Sequence, residues 1–310
     1  MSTAPPLLVI AGSTATGKTG LSLAVARALR AEGVPAEVIS ADSRQVFRGL
    51  DIGTAKVPAA DRADVPHHGL DLVDPDQAFS VADFVRHAGT ALAAIRERNG
   101  LAILVGGTGL YLRAVARGLD ADALPSDRDT RAAVEGMLAR EGLGAAVARL
   151  RRLAPSRASR TDVANPRRVA RALEIAELVG DAPAPPLRGY PAAVAWLGLH
   201  VHGATHREWI AHRARQQFDD GLVEEARALR ERFDPALTAF SAIGYHEAWA
   251  VLDGEIERDA AIERDAARNV AFAKRQATWF RAERDIEWLD GTSETLPRAL
   301  ETARRLMTAT

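Results

Sequence analysis

The stretch LLVIAGSTATGKTGLSLAVARAL, Leu7–Leu29, sets the frame for the whole chain. An apolar run of strand character leads into Gly12-x-x-x-x-Gly17-Lys18-Thr19, and an amphipathic helical pattern follows at once. A diphosphate needs that order. Glycines let the backbone curl so that its N–H groups point inward at phosphate oxygens, and the helix N-terminus adds a partial positive charge. Gly12, Ser13, Thr14, Ala15, Thr16, Gly17, Lys18 and Thr19 are therefore the candidate diphosphate cradle. Lys18 offers a point charge to the outer phosphate, and the Thr19 hydroxyl a ligand for Mg²⁺. A chance Gly-rich turn would not bring strand, loop, Lys-Thr pair and helix together in this sequence. The loop alone does not say which phosphate compound it holds.

Around that loop lies an ordinary globular composition. The chain has 310 residues, 47% hydrophobic, with a formal net charge of −1. Such a length supports one large core with an excursion, or two domains. Zero cysteines exclude disulfides, thiolate catalysis and Cys-ligated zinc. No apolar run approaches the roughly 20 residues of a membrane span, and MSTAPPLLVI has no basic n-region. A cytoplasmic protein is the expectation. Lysine occurs only at Lys18, Lys56 and Lys274, arginine supplying every other cation, which suggests places where a compact ammonium is required.

Short apolar strands recur between helical patterns at Leu7–Ala11, Glu37–Ala41, Ala102–Val105 and Val194–His200. This alternation predicts an α/β fold, a P-loop-containing parallel sheet flanked by helices. Phe79–Arg98 reads as a helix with Ser80 as N-cap and Asp83 three residues on, stopping at Asn99-Gly100. Between Pro125 and Gly189 the pattern is helical without strand signals, closing in the Pro-rich DAPAPPLRGYP. We therefore expect a transferase-type core over 1–124 and 190–310, with a helical, Arg-rich insertion over 125–189. Three helical stretches follow the fourth strand, Thr205–Arg232, Ser241–Leu252 and Glu255–Arg284.

In such sheets ligands bind beyond the carboxyl ends of the strands. Asp42, Thr108 and the phosphate loop are thereby expected at one edge. A carboxylate beside a phosphate loop can serve as general base or hold Mg²⁺ through water, while the bland role of Asp42 is to cap the following turn. The strand ending at Val105 leads into Gly106, Gly107 and Thr108, where nucleotide hydrolases often carry a Mg²⁺-binding Asp. Glycines there admit a flat substrate, which favours a transferase. Arginines crowd the insertion at Arg149, Arg151, Arg152, Arg157, Arg160, Arg167, Arg168 and Arg171, and a second basic set spans Arg268–Arg284. Such clusters grip phosphate backbones, or form solvated faces paired to Asp and Glu. Histidines at 67, 68, 200, 202 and 206 lack the spacing of a metal site and read as structural. Trp209, Trp249 and Trp279 lie in helical patterns and are expected to fill the core.

Taken together, the segments resemble the bacterial tRNA dimethylallyltransferases. The matching pieces are GSTATGKT (Gly12–Thr19), ADSRQVFRGLDIGTAK (Ala41–Lys56), LDLVDPDQAFSVADF (Leu70–Phe84), LVGGTGLYLRA (Leu104–Ala114), NPRRVARALEI (Asn165–Ile175), AIGYHEAW (Ala242–Trp249) and AKRQATWFR (Ala273–Arg281). The resemblance implies transfer of a dimethylallyl group from dimethylallyl diphosphate to N6 of the adenosine at tRNA position 37, by a monomer using Mg²⁺. It implies that the loop holds the allylic diphosphate, that Asp42 takes the amine proton, and that Thr108 positions the reacting centre. Arg213 is similar in position to the family arginine that reaches the diphosphate. Asp42, Ser43, Arg44, Gln45 and Thr108 would meet the extruded adenosine, and Arg167, Arg168, Arg171, Lys274, Arg275 and Gln276 the rest of the tRNA. The chain departs from the family pattern at Asp162–Asn165, at Ser241 and at Asn269-Val270. Rival readings are a small-substrate kinase, since the same loop serves ATP, a prenyltransferase acting on free adenine nucleotides, and a non-catalytic RNA-binding module. The Arg-rich insertion has no use in the first two, and the Gly-Lys-Thr loop beside Asp42 none in the third.

Overall fold

The computed structural model describes residues 4–120, 123 and 125–309. The elements of the first half are β1 (Leu7–Gly12), α1 (Lys18–Ala31), β2 (Ala36–Ser40), α2 (Ala59–Asp64), β3 (His67–His68), α3 (Val81–Glu97), β4 (Leu101–Gly106) and α4 (Gly109–Ala116). A helical stretch follows with α5 (Arg128–Leu153), α6 (Pro155–Arg160) and α7 (Pro166–Val179). The chain then forms β5 (Val194–His200), α8 (Gly203–Asp219), α9 (Leu222–Arg230), a 3₁₀ turn at Thr238–Ser241, α10 (Tyr245–Leu252), α11 (Arg258–Arg281), β6 (Ile286–Asp290) and α12 (Leu296–Thr308).

Six strands form one parallel sheet in the order β3-β2-β4-β1-β5-β6. Central β1 pairs Leu7 with Ala102 on one side and Val194 on the other. Every residue of β1 is buried, because helices cover both faces. Leu7, Val9 and Ala11 belong to one core cluster with residues of α3, α4, α8 and α11, while Leu8 and Ile10 belong to another with α1 and α12. Period-two alternation therefore feeds two cores from one strand. The chain's progress across the sheet reverses beside β1, where open α/β sheets take their ligands.

Local signals explain the element ends. Ser80 and Asp83 exchange hydrogen bonds as a capping box at the start of α3, worth about 1 kcal/mol. The α3 helix stops where Asn99 turns left-handed (φ 53°). Thr205–Arg232 is two helices rather than one, since Gly221 (φ 103°) breaks the run between α8 and α9. The strand signal missed β3, only two residues long, and β6, whose IEWLD sequence stays half exposed at the sheet edge. It also missed α12.

The chain divides into two compact units, one running up to Gly118 and resuming at Gly189, the other Leu119–Arg188. The helical unit thus begins at Leu119 and ends at Arg188, not at 125 and 189. Its own core joins Val134, Met137, Ala146 and Leu150 of α5 to Val169 and Leu173 of α7. Asn165 caps α7 by accepting from the N–H groups of Arg167 and Arg168, with Pro166 at the first helical position. Among the described residues, no helix is long and apolar enough to cross a membrane.

Candidate active site

The phosphate loop leaves β1 at Gly12, where a Cβ would lie 2.5 Å from the carbonyl oxygen of Leu199 on β5. Ala15 (φ 55°) and Gly17 (φ 86°) are left-handed, so the chain wraps around a small space before α1 begins at Lys18. Thr16 Oγ1 donates to Ser13 O at 2.9 Å across the loop. Distant residues brace it. Ser13 Oγ donates to Ala273 O (3.1 Å), Thr14 N donates to Gln276 Oε1 (2.8 Å), and His206 Nε2 pairs with Thr14 O (2.9 Å). The backbone of Thr14 is thus spent on the protein, and the N–H groups from Ala15 to Thr19 remain without an acceptor among the described residues. Those are the donors an anion would meet.

Two cations and one carboxylate converge beside the loop. The half-buried Lys18 turns its ammonium back on the loop, donating to Ser13 O at 2.5 Å, and burial lowers its pKa to about 7, with the Arg213 charge pushing the same way and Asp42 opposing. Burial also lowers the pKa of Arg213, which Asp265 and Asp42 hold up. Two cations, one of which lowers the pKa of the other, stand half-buried beside the loop and are poised for an anion whose charge would relieve them. Thr19 lies one residue on, at the exposed start of α1.

Asp42 follows β2, and its Oδ1 accepts from Arg44 N (2.8 Å) and Gln45 N (3.4 Å). Turn capping therefore occupies one oxygen, and no described group donates to the other. Thr108 lies against it: Ser43 N donates to Thr108 Oγ1 at 3.0 Å, and Thr108 N to Ala41 O at 3.2 Å. Gly106 makes that approach possible, because a Cβ there would stand 2.1 Å from Ala41 O. Asp42, Ser43 and Thr108 thus meet at the carboxyl ends of adjacent strands β2 and β4.

The loop after β2 is clamped from α8 to α10. Glu225 accepts from the N–H groups of Asp51, Ile52 and Gly53 at 2.8–3.1 Å and from Tyr245 Oη at 2.8 Å. Gln217 Nε2 donates to Ile52 O and Gly53 O. Buried Lys56 binds Asp51 at 2.7 Å and Asp71 at 2.6 Å, so the second of the three lysines fills a compact structural socket. Gln45 accepts from Ser40 Oγ and donates to Thr54 O, which engages its amide inside the loop. Arg44 reaches Thr238 O.

Gln276 is buried, and its amide bridges Thr14 N and Gly107 O (2.9 Å). Its side chain is a brace between the phosphate loop and the β4–α4 turn, so the expected tRNA contact is not open to it. Lys274 and Arg275 are exposed on α11. Trp249 and Trp279 pack into the core, but Trp209 is 36% exposed and does not. The bracing roles of His206 and Gln276 and the buried pair Asp265 and Asn269 escaped sequence reasoning. Only the helical spacing of Asp265, Asn269 and Gln276 hinted at one inward face.

In the helical unit the arginines divide into two kinds. Arg131 and Arg171 hold buried Glu174 at 3.2 and 2.8 Å, Arg149 pairs with Glu177, and Arg168 stands 3.6 Å from Asp162. Against the effect of burial, hydrogen bonds and charge from Arg131 and Arg171 lower the pKa of Glu174. Arg151, Arg152, Arg160 and Arg167 have no acidic partner among the described residues. Arg157, Arg160, Arg167, Arg168 and Arg171 line an open depression of about 530 Å³ with Asn165 at its edge.

Fold and site define a P-loop α/β protein with a half-buried pair of cations, a carboxylate and a strand-end threonine in place of a hydrolase's metal-binding aspartate. The profile of the family described as IPP transferase matches residues 45–283. Among curated relatives, the tRNA dimethylallyltransferase of Thermus thermophilus is 43% identical over 284 residues, 89% of each chain. That of Symbiobacterium thermophilum is 39% identical, covering 97% of this chain and 95% of its own. The crystal structure of the full-length tRNA isopentenylpyrophosphate transferase from Bacillus halodurans superposes with a TM-score of 0.69 at 36% identity, covering 98% of this chain and 96% of that one. A eukaryotic dimethylallyltransferase acting on tRNA shares the fold with a TM-score of 0.77 at 24% identity, covering 97% of this chain and 78% of its own. The chain belongs to the IPP transferase family.

Proposed function

We propose that the protein transfers the dimethylallyl group of dimethylallyl diphosphate to N6 of the adenosine at tRNA position 37. The carrying observation is the convergence of Lys18, Arg213 and Asp42 beside the open N–H groups of the phosphate loop. The allylic C–O bond breaks, its electron pair leaving with diphosphate. Lys18, Arg213 and the loop N–H groups stabilise that developing charge. The C–N bond forms from N6, whose proton passes to Asp42, and Thr108 fixes the strand end on which Asp42 sits. A stacked adenine cannot present N6 to an enclosed allylic carbon, so the base leaves the stack. Ser43 and Arg44 then edge the acceptor, and Arg167, Arg168, Lys274 and Arg275 attract its backbone.

Mg²⁺ fits this donor set as an ion arriving with the substrate. Among the described residues no cluster of three His, Asp or Glu could hold a metal, and Thr19 offers one hydroxyl. Mg²⁺ characteristically completes its shell with water and phosphate oxygens. When bound, it neutralises part of the diphosphate charge.

The test offers dimethylallyl diphosphate labelled in carbon, and separately γ-labelled ATP, to an unmodified tRNA transcript. Carbon label entering tRNA, and lost when the target adenosine becomes guanosine, is the expected result. Phosphate label alone would overturn the proposal in favour of a kinase.

A further inference from the structure

Arg213 does not stand alone. Its Nη2 donates to Asn269 Oδ1 at 3.1 Å. The same amide donates through Nδ2 to Asp265 Oδ1 at 2.7 Å and to Asp265 O at 3.2 Å. Asp265 and Asn269 are one turn apart on the inward face of α11, with exposures of 1% and 5%. Chemistry allows only one orientation of the amide between them. Turning it over would set its NH₂ against the guanidinium and its oxygen against the carboxylate. Asp265 therefore orients Asn269, and Asn269 presents an acceptor to Arg213.

The arrangement is costly in isolation. Asp265 Oδ2 and Arg213 Nε are buried without hydrogen-bond partners. Burial raises the pKa of Asp265 to about 6, with Glu247 adding to the rise and Asn269, Arg213 and Arg268 opposing it. Gly244 (φ 109°) keeps room beside the carboxylate, since a Cβ there would lie 3.0 Å from Oδ2. Apolar side chains would fill this helix–helix seam without leaving half a carboxylate unsatisfied. What the polar pair offers is a fixed direction for a charged group that has to meet an anion.

We propose that Asp265 and Asn269 are positioning residues that hold the Arg213 guanidinium toward the phosphate loop and so set the affinity for diphosphate. This rests on the reading of Arg213 as a diphosphate ligand. Inorganic diphosphate with Mg²⁺, titrated calorimetrically into the full chain, tests both layers. Arg213→Ala abolishes measurable binding. Asn269→Ala and Asp265→Ala each weaken it about tenfold, the scale of one oriented hydrogen bond to a charged group. Asp265→Asn restores it to within about twofold, because its amide oxygen still accepts from Asn269 Nδ2. In turnover assays the two alanine variants raise KM for the allylic donor more than they lower kcat. If Asn269→Ala does not fold, Asn269→Ser, which shortens the reach to Arg213, carries the same expected loss. Binding unchanged in Asn269→Ala and Asp265→Ala while Arg213→Ala loses it would overturn the positioning role and leave the site reading intact. Absence of binding by the unaltered protein would overturn both.

Discussion

The strand-end site and the helical unit are both rich in positive charge, and they use it in opposite ways. At the site two cations are half-buried, Arg213 lowers the pKa of Lys18, and Asp42 and Asp265 oppose the loss of charge. In the helical unit the arginines are mostly exposed, and several are already matched to Glu174, Glu177 or Asp162. Half-buried charge is strong and selective, because less water screens it. Exposed charge is weak pair by pair but attracts a polyanion over a Debye length of about 8 Å at physiological salt. The first suits a leaving group and the second a nucleic-acid backbone.

The largest expected effect falls on the carboxylate. Asp42→Ala should lower turnover by about 10²–10⁴-fold, the usual contribution of a general base, with tRNA affinity retained. Full activity in the label-transfer assay would break the contrast, since the half-buried site would then work by charge alone. Next comes the geometry that lets β4 lie against β2. Gly106→Ala sets a methyl 2.1 Å from Ala41 O, and should cost about 1–3 kcal/mol in chemical denaturation along with most activity.

Burial also has a pH signature. The folded-state pKa of Lys18, about 7, lies below its unfolded value of 10.5. Between those values the unfolded chain binds the extra proton, so Lys18 contributes stability that rises with pH. Diphosphate needs the ammonium, so its affinity should run the other way and fall by up to about tenfold per pH unit above 7. Titrations from pH 6 to 9 check this, and buffers of different ionisation enthalpy should reveal proton uptake on binding. A flat profile would mean that Lys18 is not buried in solution.

The smallest effects separate the two kinds of arginine. Arg167→Ala should weaken tRNA binding a few-fold and reduce the salt slope by about 1, leaving the melting temperature in place. Arg171→Ala should do the reverse in emphasis, costing about 1–3 kcal/mol of stability by stripping a partner from buried Glu174. Equal salt slopes and equal melting temperatures in the two variants would erase the distinction.

Much of this was readable in the chain because it was local. Gly12 to Thr19, the Ser80–Asp83 cap and the Asn165-Pro166 start each declare themselves within a few residues, and four buried strands announce themselves as apolar runs. Edge strands do not, since in β6 Trp288 is exposed, Glu287 only half-buried, and no residue fully buried. Nor do braces that close over long separations. Thr14 and Gln276 are 262 residues apart, and His206 reads as an ordinary helical histidine until it is found on Thr14 O. The assignment of Gln276 to tRNA follows from its place beside Lys274 and Arg275, whereas helical periodicity turns it inward. Trp209 shows the converse, a large aromatic in a helical pattern that remains partly exposed.

One amide has a consequence beyond bracing. Gln276 touches the loop expected to carry the donor and the turn expected to carry the acceptor, with one end of a single planar group on each. Gly107 opposite leaves no slack, for even a methyl would stand 2.3 Å from Gln276 Nε2. The amide is therefore a gauge block: the spacing between the phosphate loop and the β4–α4 turn is set by the length of one planar group. A carboxylate in its place, as in Gln276→Glu, would not serve, because a group that only accepts cannot satisfy both an N–H and a carbonyl. Two turns that leave different strands are in this way held at one spacing by the end of one side chain.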